Sequence, residues 1–598
     1  MASVQASNGK LSVRAHQGDA KTLLAFDVDK VSARGLAGFT IQVEPPGATP
    51  YFLLNNLQFE TPANHAQDPT LPANSSINAP FHKFRWLHIP GLAHQGTQVI
   101  FGKYRYTVTP RYFDDNKSLR PLDPSRSATV KVDVQPFEKK GVSLGFTRGF
   151  TQSQAFVRHF GLKALIRPKG KTLLFDTSQE SGVNAKGERY TYADEYRWLG
   201  FTAREKIFAL LAEVAAKKTL RLDVFAYDLN EPDVMAALLK LAKQGRVRVI
   251  LDNAALHHDA TGTKPEDQFD ALFSQAAKKP AEILRGKFGR FAHDKIFIVS
   301  SKSGAQKVLT GSTNLSVTGL YVNSNHVIVF DDPKVAGKYA IVFESVWNDK
   351  AQAAKFRNSD LAKETFAPSS KAVPPLEITF SPHDETFAKK ILDDLVTRVD
   401  KEGRAGKTTG SVLFAVMELG TGTGPVFPAL RGLHTNQKIF SYGISDNPDG
   451  IFLYKPESKT GVLVTGKPGK TVLPPPFNQV PSVGLGHQVH HKFVVCGFNG
   501  ADPVVYCGSS NLALAGEQVN GDNLLAIHDA DVATVFALEA LALVDHFHFL
   551  NKASAKKPVV SKPQAAVAAG WFLSTTDRWA APYFDPADLH SVDRQLFA

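Results

Sequence analysis

Along the first 140 residues, large apolar and polar side chains alternate in short runs. Phe101-Gly-Lys-Tyr-Arg-Tyr-Thr-Val-Thr and Ala128-Thr-Val-Lys-Val-Asp-Val both follow the period of two that turns one face of a strand to a core and the other to water. Between such runs lie Glu44-Pro-Pro-Gly and Leu122-Asp-Pro-Ser, whose residues favour turns. The spacing predicts a β-sandwich, immunoglobulin-like in its strand lengths, as an accessory domain over residues 1–140. From about residue 200 the period changes. Ile207, Leu210, Leu211 and Val214 recur at helical spacing over 205–216, Thr219-Leu-Arg-Leu-Asp-Val-Phe-Ala-Tyr reads as a strand, 233–243 as a second amphipathic helix and 245–252 as the next strand. Strand, helix, strand at this pitch is a βαβ unit, with parallel strands covered by helices.

The same order returns from residue 376. Leu376-Glu-Ile-Thr-Phe is a short strand, 387–399 a helix, 410–417 a buried strand, 425–433 a helix and 438–445 a strand. Pro and Ser enrich the stretch around Phe366-Ala-Pro-Ser-Ser-Lys-Ala-Val-Pro-Pro, which suits a boundary. Residues 141–365 and 366–551 are therefore expected to form two α/β/α sandwich repeats related by a pseudo-two-fold axis. Residues 552–565 look like an extended linker, and the aromatic end (Trp571, Phe572, Trp579, Tyr583, Phe584) should pack back onto the body.

Composition narrows the function classes. Hydrophobic residues are 43% of 598, enough for real cores, which excludes a disordered chain. The formal charge of +12 favours anionic partners without choosing between nucleic acid and lipid headgroups. Two cysteines, Cys496 and Cys507, exclude a disulfide scaffold or zinc module and read as small buried hydrophobes flanking a predicted hairpin. No apolar leader segment and no run of about 18 apolar residues occurs. The expectation is a protein with no transmembrane segment, cytoplasmic or exported without a cleavable signal.

Two segments carry chemistry. The first is Phe291-Ala-His293-Asp-Lys295-Ile-Phe-Ile-Val, followed by Gly311-Ser312-Thr-Asn314; the second is Val489-His490-His-Lys492-Phe-Val-Val-Cys, followed by Gly508-Ser509-Ser-Asn511. His and Gly are 18 positions apart in both copies, and His and Asn 21 in both, the mark of an internal duplication. In His-x-Lys both side chains share one face of a strand, while the small Gly lets backbone and substrate approach closely. Imidazole, ammonium, hydroxyl and amide then converge, a set that suits a phosphodiester. Lys and Asn donate to the non-bridging oxygens, one imidazole attacks phosphorus, and a second protonates the leaving alcohol and then activates water. One repeat supplies only one such histidine.

His-x-Lys followed by Gly-Ser-x-Asn, twice, resembles the phospholipase D superfamily over roughly residues 200–550. The resemblance implies a metal-independent phosphodiesterase with no cofactor, acting through a phosphohistidine. It implies His293 as nucleophile, His490 as general acid and base, Lys295, Lys492, Asn314 and Asn511 on the phosphate, and Ser312 and Ser509 at the substrate or orienting the histidines. Many members have an Asp five residues after the motif Lys; Ser300 and Gly497 stand there in this chain, so support for the histidines must come from elsewhere. Members often carry a further acid downstream that hydrogen-bonds an imidazole; Asp522 fits that spacing in the second repeat, and Asn325 stands at the matching place in the first. A carboxylate beside only one histidine would separate their acid–base behaviour.

The remaining histidines carry weaker expectations: His491 should point away from the site by strand alternation, and His257 and His258 should lie in a solvated loop. No cluster of His, Cys or carboxylates has metal-ligand spacing. With both half-sites in one chain, a monomer is expected. An anionic phosphodiester is the expected substrate, a phospholipid membrane surface before nucleic acid. Two unlike repeats in one chain suit lipid-acting members, and Pro474-Pro-Pro-Phe and Gly484-Leu-Gly suggest a lid or apolar lip. A nuclease acting by the same chemistry is the second reading, and a catalytically inactive binding protein a third, from another class.

Overall fold

Two mixed sheets follow one plan at the centre of the molecule. The computed structural model describes residues 3–92, 94–149, 154–161, 164–170, 172–403, 409–417, 424–436, 438–446, 451–453, 462–464, 489–555 and 572–598. In the first sheet the strands lie in the order Glu138–Lys139, Val142–Phe146, His326–Phe330, Gly304–Gly311, Lys295–Ser301, Arg221–Ala226, Val247–Asp252, Glu282–Gly286. In the second the order is Leu376–Phe380, Asn523–Ile527, Val504–Gly508, Lys492–Cys496, Gly410–Val416, Ile439–Ser445. Starting from Val142–Phe146 and Leu376–Phe380, four antiparallel pairings and then one parallel pairing follow in both.

Side-chain alternation builds the layers. Ile296 and Ile298 enter one core with Leu413, Ala415, Phe493 and Val495 of the other sheet, whereas Phe297 and Val299 face the opposite way. That shared core also takes the inner faces of helices Pro333–Asn348 and Ala530–Ala555, so it spans both halves. On the outer faces, helices Tyr192–Ala216, Pro232–Ala242 and Pro265–Ala276 cover the first sheet, and Glu385–Glu402 with Val426–Gly432 cover the second. Strands buried on both faces read as continuous apolar runs, as Lys295–Ser301 and Lys492–Cys496 do. Cys496 and Cys507 are free and buried, on opposite faces of their sheet.

The N-terminal strands form two antiparallel four-stranded sheets. One has the order Ser3–Asn8, Leu11–Gln17, Thr22–Val28, Arg85–His88, the other Tyr51–Phe52, Leu36–Glu44, Gly102–Tyr112, Ala128–Val134, and their apolar faces share a core. The chain's end closes that core. The Trp579 indole donates to the Leu36 carbonyl at 2.9 Å and stacks on His82, and Tyr583 packs on Phe84. Arg85, buried, donates to Asp545 and Asp593 at 2.8 Å each, tying an N-terminal strand to two later helices.

Three boundaries differ from the sequence reading. Glu138–Lys139, inside the segment assigned to the first unit, pairs as the edge strand of the first α/β sheet. The helix expected from 205 starts at Tyr192, where Thr191 and Asp194 form a reciprocal cap, and Phe201 (φ 41°) breaks it. The segment read as a linker from 552 is helical to Ala555; its remainder, Trp571 and the expected lip at 474–486 lie outside the described residues. Among the described residues no helix is long and apolar enough to cross a membrane.

Candidate active site

Both His-x-Lys segments enter the body at corresponding ends of their sheets. His293 and His490 each stand just before the strand that begins at Lys295 or Lys492, so the buried run that follows anchors the motif. Gly311 (φ 140°) and Gly508 (φ 137°) end the neighbouring strands in a backbone conformation that L side chains rarely adopt. A Cβ would come within 2.3 Å of the His326 carbonyl at the first and 2.4 Å of the Asn523 carbonyl at the second, so both positions require glycine.

Each histidine is held by the other half. Ala292 bridges Gly521, and the His293 amide donates to the Gly521 carbonyl at 2.9 Å; Val489 bridges Ser324, and the His490 amide donates to the Ser324 carbonyl at 3.0 Å. The side chains follow the backbone. Nδ1 of His293 lies 2.6 Å from Asp522 Oδ1, and Nδ1 of His490 lies 2.8 Å from Asn325 Oδ1. Asn325 cannot turn over, because its Nδ2 donates to the Gly319 carbonyl at 2.8 Å. Its oxygen therefore accepts the Nδ1 proton of His490, which leaves Nε2 of that ring as the reactive nitrogen. Among the described residues the Nδ1 partners differ: a carboxylate stands beside the first imidazole and a neutral amide beside the second.

A further layer holds these partners. Ser312 donates to Asn325 Oδ1 at 2.8 Å, and Ser509 to Asp294 Oδ1 at 3.3 Å. Asn523 also donates to Asp294, at 2.7 Å. Both serine hydroxyls are fully buried and engaged in the protein. Of the two roles expected of them, these hydrogen bonds correspond to the orienting one.

The cations stand differently. Lys295 and Lys492 are buried, and each ammonium donates to the carbonyl of its own motif histidine. Among the described residues neither has a carboxylate partner within ion-pairing distance. Burial lowers Lys295 to about 8 against the pull of Asp522 and Asp294, and burial with the Lys295 charge holds Lys492 well below its ordinary value. Desolvation and both ammoniums likewise hold the His293 imidazole low, while burial pushes the Asp522 carboxyl up to about 7. Asn314 and Asn511 each leave a buried Oδ1 without a partner among the described residues. Two ammoniums thus gather where, among the described residues, no carboxylate pairs with either directly, an environment that favours a bound anion.

Three neighbours escape the sequence reading. Tyr227 stands edge-on to His293 (centroids 4.6 Å), and the Lys295 ammonium lies 4.7 Å over its ring. His257 is not in a solvated loop: it is buried, bonded through Nδ1 to Asp252 at 2.9 Å and edge-on to Tyr227, while His258 is the exposed one, bonded to Asp267. A ring nitrogen of His257 and carboxylate oxygens of Asp228 and Glu266 also lie within 4.8 Å of one another, a possible cation-binding set assembled from three separate segments. The expectation of no such cluster fails because spacing along the chain does not register it. Each member already has a protein hydrogen bond: Asp228 from Asn230, Glu266 from the Leu229 amide, His257 to Asp252. His491 is buried and turned away from its motif partners, towards His326 and Glu539.

Comparison with known proteins gives a partial match. Residues 212–347 match a family model described as cardiolipin synthase, PLD-like domain. The mitochondrial cardiolipin hydrolase of Chlamydomonas reinhardtii is 25% identical over 131 residues, 22% of this chain and 52% of the relative, so the chain spans about half the length of the curated relative it matches. Among solved structures, the phospholipase D family member Nuc from Salmonella typhimurium is similar at a TM-score of 0.20 and 21% identity, over 25% of this chain and 88% of that one. A histidine-to-alanine form of the yeast tyrosyl-DNA phosphodiesterase is similar at a TM-score of 0.29 and 14% identity, over 54% and 86%.

Proposed function

We propose that the chain, which matches a PLD-like family model over residues 212–347, is a phospholipase D-type enzyme that cleaves phosphodiesters at one site shared by its two halves. The observation that carries this is the pair of buried ammoniums of Lys295 and Lys492, without a carboxylate partner among the described residues, beside two histidines each braced from the opposite half. Buried cations of that kind are costly until an anion arrives, so a site that keeps them is built for one. On this reading a duplicated α/β/α plan, preceded by an accessory β-domain, lets one chain complete the site and act as a monomer.

In the first step Nε2 of His293 attacks phosphorus. A P–N bond forms as the P–O bond to the leaving alcohol breaks, and His490 gives that alcohol its proton. In the second, His490 takes a proton from water, whose oxygen attacks phosphorus and releases His293. Lys295, Lys492, Asn314 and Asn511 donate to the non-bridging oxygens, where charge grows in the transition state. Asp522 stabilises the positive charge that His293 acquires as it bonds phosphorus. No step uses a metal ion.

A phospholipid is the favoured substrate. The matched family model and the curated relative both carry cardiolipin in their names. Vesicles containing cardiolipin and phosphatidylglycerol, with single- and double-stranded DNA in parallel, test this in EDTA. Release of phosphatidic acid by the wild type, lost in His293→Ala and His490→Ala by more than about 10³-fold, is the expected result. DNA cleavage lost in the same variants would transfer the chemistry to nucleic acid. Turnover that survives both substitutions would refute the site.

A further inference from the structure

Two parallel strands, Arg221–Ala226 and Val247–Asp252, end side by side next to the His293 motif. The crevice outside the carboxyl ends of such strands is where α/β sheets bind ligands, and here it collects groups that the proposed reaction leaves unused. Asp228 follows the first strand, His257 follows the second, and Glu266 lies in the first turn of the helix Pro265–Ala276. A ring nitrogen of His257 and one carboxylate oxygen each of Asp228 and Glu266 lie within 4.8 Å of one another. His257 and Glu266 are buried, and Asp228 is half-buried. Donor atoms bound to one cation at about 2.1–2.4 Å stand at most about 4.2–4.8 Å apart, so these three fit around a single ion.

Each of the three is oriented from outside the set. Nδ1 of His257 lies 2.9 Å from Asp252 Oδ2, an oxygen that also accepts from the Ala254 amide at 2.9 Å. Asp252 Oδ1 accepts from the Ala292 amide at 2.6 Å, so the His293 segment fixes this carboxylate as well. An imidazole that gives its Nδ1 proton to a carboxylate presents Nε2 as a ligand nitrogen, the arrangement that orients histidine on metal ions. His257 is only 8% exposed, yet among the described residues its Nε2 has no hydrogen-bond partner. Glu266 takes the Leu229 amide on Oε1 at 2.9 Å, and Asp228 takes the Asn230 side chain on Oδ1 at 3.0 Å, which leaves each a second oxygen. Arg285 closes the loop from behind, donating to the carbonyls of Asp252 and His257 at 3.0 and 2.9 Å. Two carboxylates this close repel each other, and no hydrogen bond joins His257 to either of them among the described residues. A divalent cation satisfies both oxygens and the buried nitrogen at once.

We infer that Asp228, His257 and Glu266 bind one divalent cation, Zn²⁺ or Mn²⁺, in the crevice beside the His293 motif. One imidazole and two carboxylates are a mixed nitrogen and oxygen set, which suits those ions, whereas Mg²⁺ and Ca²⁺ are held by oxygen. Tyr227 packs edge-on against both His257 (centroids 4.5 Å) and His293 (4.6 Å). An ion held here therefore joins the turn after the first strand to the loop after the second and braces the wall of the phosphate site without entering the reaction. The cation site rests on these side chains alone and does not depend on the function proposed above.

Calorimetry on the full-length protein, stripped with EDTA and desalted, tests this with the metals alone. Zn²⁺ or Mn²⁺ should bind at one ion per chain with a Kd in the micromolar range or tighter, and the thermal midpoint should rise with ion concentration. Mg²⁺ or Ca²⁺ at about 1 mM should not displace the bound ion. Asp228→Asn, His257→Gln and Glu266→Gln should each weaken binding by at least about tenfold. In protein labelled with ¹⁵N-histidine, Mn²⁺ should broaden the His257 resonance, identified by its loss in His257→Gln, at lower concentrations than it broadens the other histidines. Asp228 is half-buried, so Asp228→Asn removes a ligand without opening the core and keeps the test decisive should the buried variants fail to fold. Binding of unchanged strength in Asp228→Asn would overturn the inference. So would a wild type with no saturable site for either ion, which would leave a protonated His257 as the cation that these carboxylates need. None of these readings requires turnover, so a wild type without phosphodiesterase activity would count against the proposed function and not against the cation site.

Discussion

Replacing Asp522 by asparagine keeps the side chain's shape and removes the charge 2.6 Å from Nδ1 of His293. Two magnitudes bracket the effect. A hydrogen bond to a charged group contributes about 1.5–3 kcal/mol, and at about 1.4 kcal/mol per factor of ten its loss would slow turnover roughly 10- to 150-fold. The local donor points to the upper side of that range and beyond. Asn520 also directs a hydrogen bond to the Asp522 carboxylate. The asparagine oxygen satisfies it, its NH₂ faces His293, and the imidazole must carry its proton on Nε2, the nitrogen that attacks. For the Ser-His-Asp triad a change of this kind costs about 10⁴ in kcat. We expect a loss of about 10³- to 10⁴-fold in kcat on bis(p-nitrophenyl) phosphate, with KM little changed. Removing the anion also destabilises the imidazolium, so the acidic limb of kcat/KM should move to lower pH. Activity within threefold of wild type with an unchanged pH profile would refute the assignment of Asp522 to His293.

Four further outcomes follow from the same geometry. Burial lowers Lys295 to about 8, below its ordinary value, so the ammonium is lost as pH rises through 8. KM for an anionic diester should climb above that pH, and a flat KM to pH 9.5 would count against Lys295 as a phosphate ligand. Because the native pKa is the lower one, the unfolded chain binds more protons there, and the Lys295 contribution should favour folding as pH rises from 8. Lys492→Met removes a buried ammonium that has no directly paired carboxylate among the described residues, so the midpoint of urea unfolding should rise while turnover falls by at least about 10²-fold; a fall in stability would show that the ammonium is not strained. Arg85→Met strands Asp545 and Asp593 and should cost about 3–5 kcal/mol of folding free energy, read from the denaturant midpoint, whereas a loss under about 1 kcal/mol would mean water already screens those carboxylates. Finally, EDTA dialysis should leave turnover within twofold; a loss restored by a divalent ion would bring the Asp228, His257 and Glu266 set into the reaction.

Local pattern carried the sequence reading where a single segment holds all the information. Alternation marks Leu376–Phe380, and a continuous apolar run marks the strands after Lys295 and Lys492, which are buried on both faces. It misses the helix over Tyr192–Gly200, whose aromatic residues lack a simple apolar stripe and whose course is broken at Phe201. The edge at 140 fails for another reason. Glu138–Lys139 is too short to announce itself, and only its pairing with Val142–Phe146 makes it part of the α/β sheet. His257 looks like a loop residue in sequence because its burial is made by Tyr227 and Asp252, which other strands deliver.

The candidate site divides along the same line. Residue types and intervals within a repeat are written in the chain, so His293, Lys295, Asn314 and their counterparts can be picked out one repeat at a time. What each histidine leans on is not, since Asp522 lies 229 positions from His293 and Asn325 lies 165 from His490. Equal spacing suggests that each acid or amide serves its own repeat, yet the backbone bridges of Ala292 to Gly521 and Val489 to Ser324 cross the seam and exchange the partners. That exchange has a physical consequence. If every histidine were braced within its own half, the two halves could slide and still present intact imidazoles. Because each is braced from across the seam, any movement of one half against the other disturbs both reacting groups at once. The large core common to both sheets opposes such movement, so the same apolar burial that holds the halves together also holds the two imidazoles in register. Substitutions that loosen that core, well away from any phosphate, should therefore lower kcat more than they raise KM.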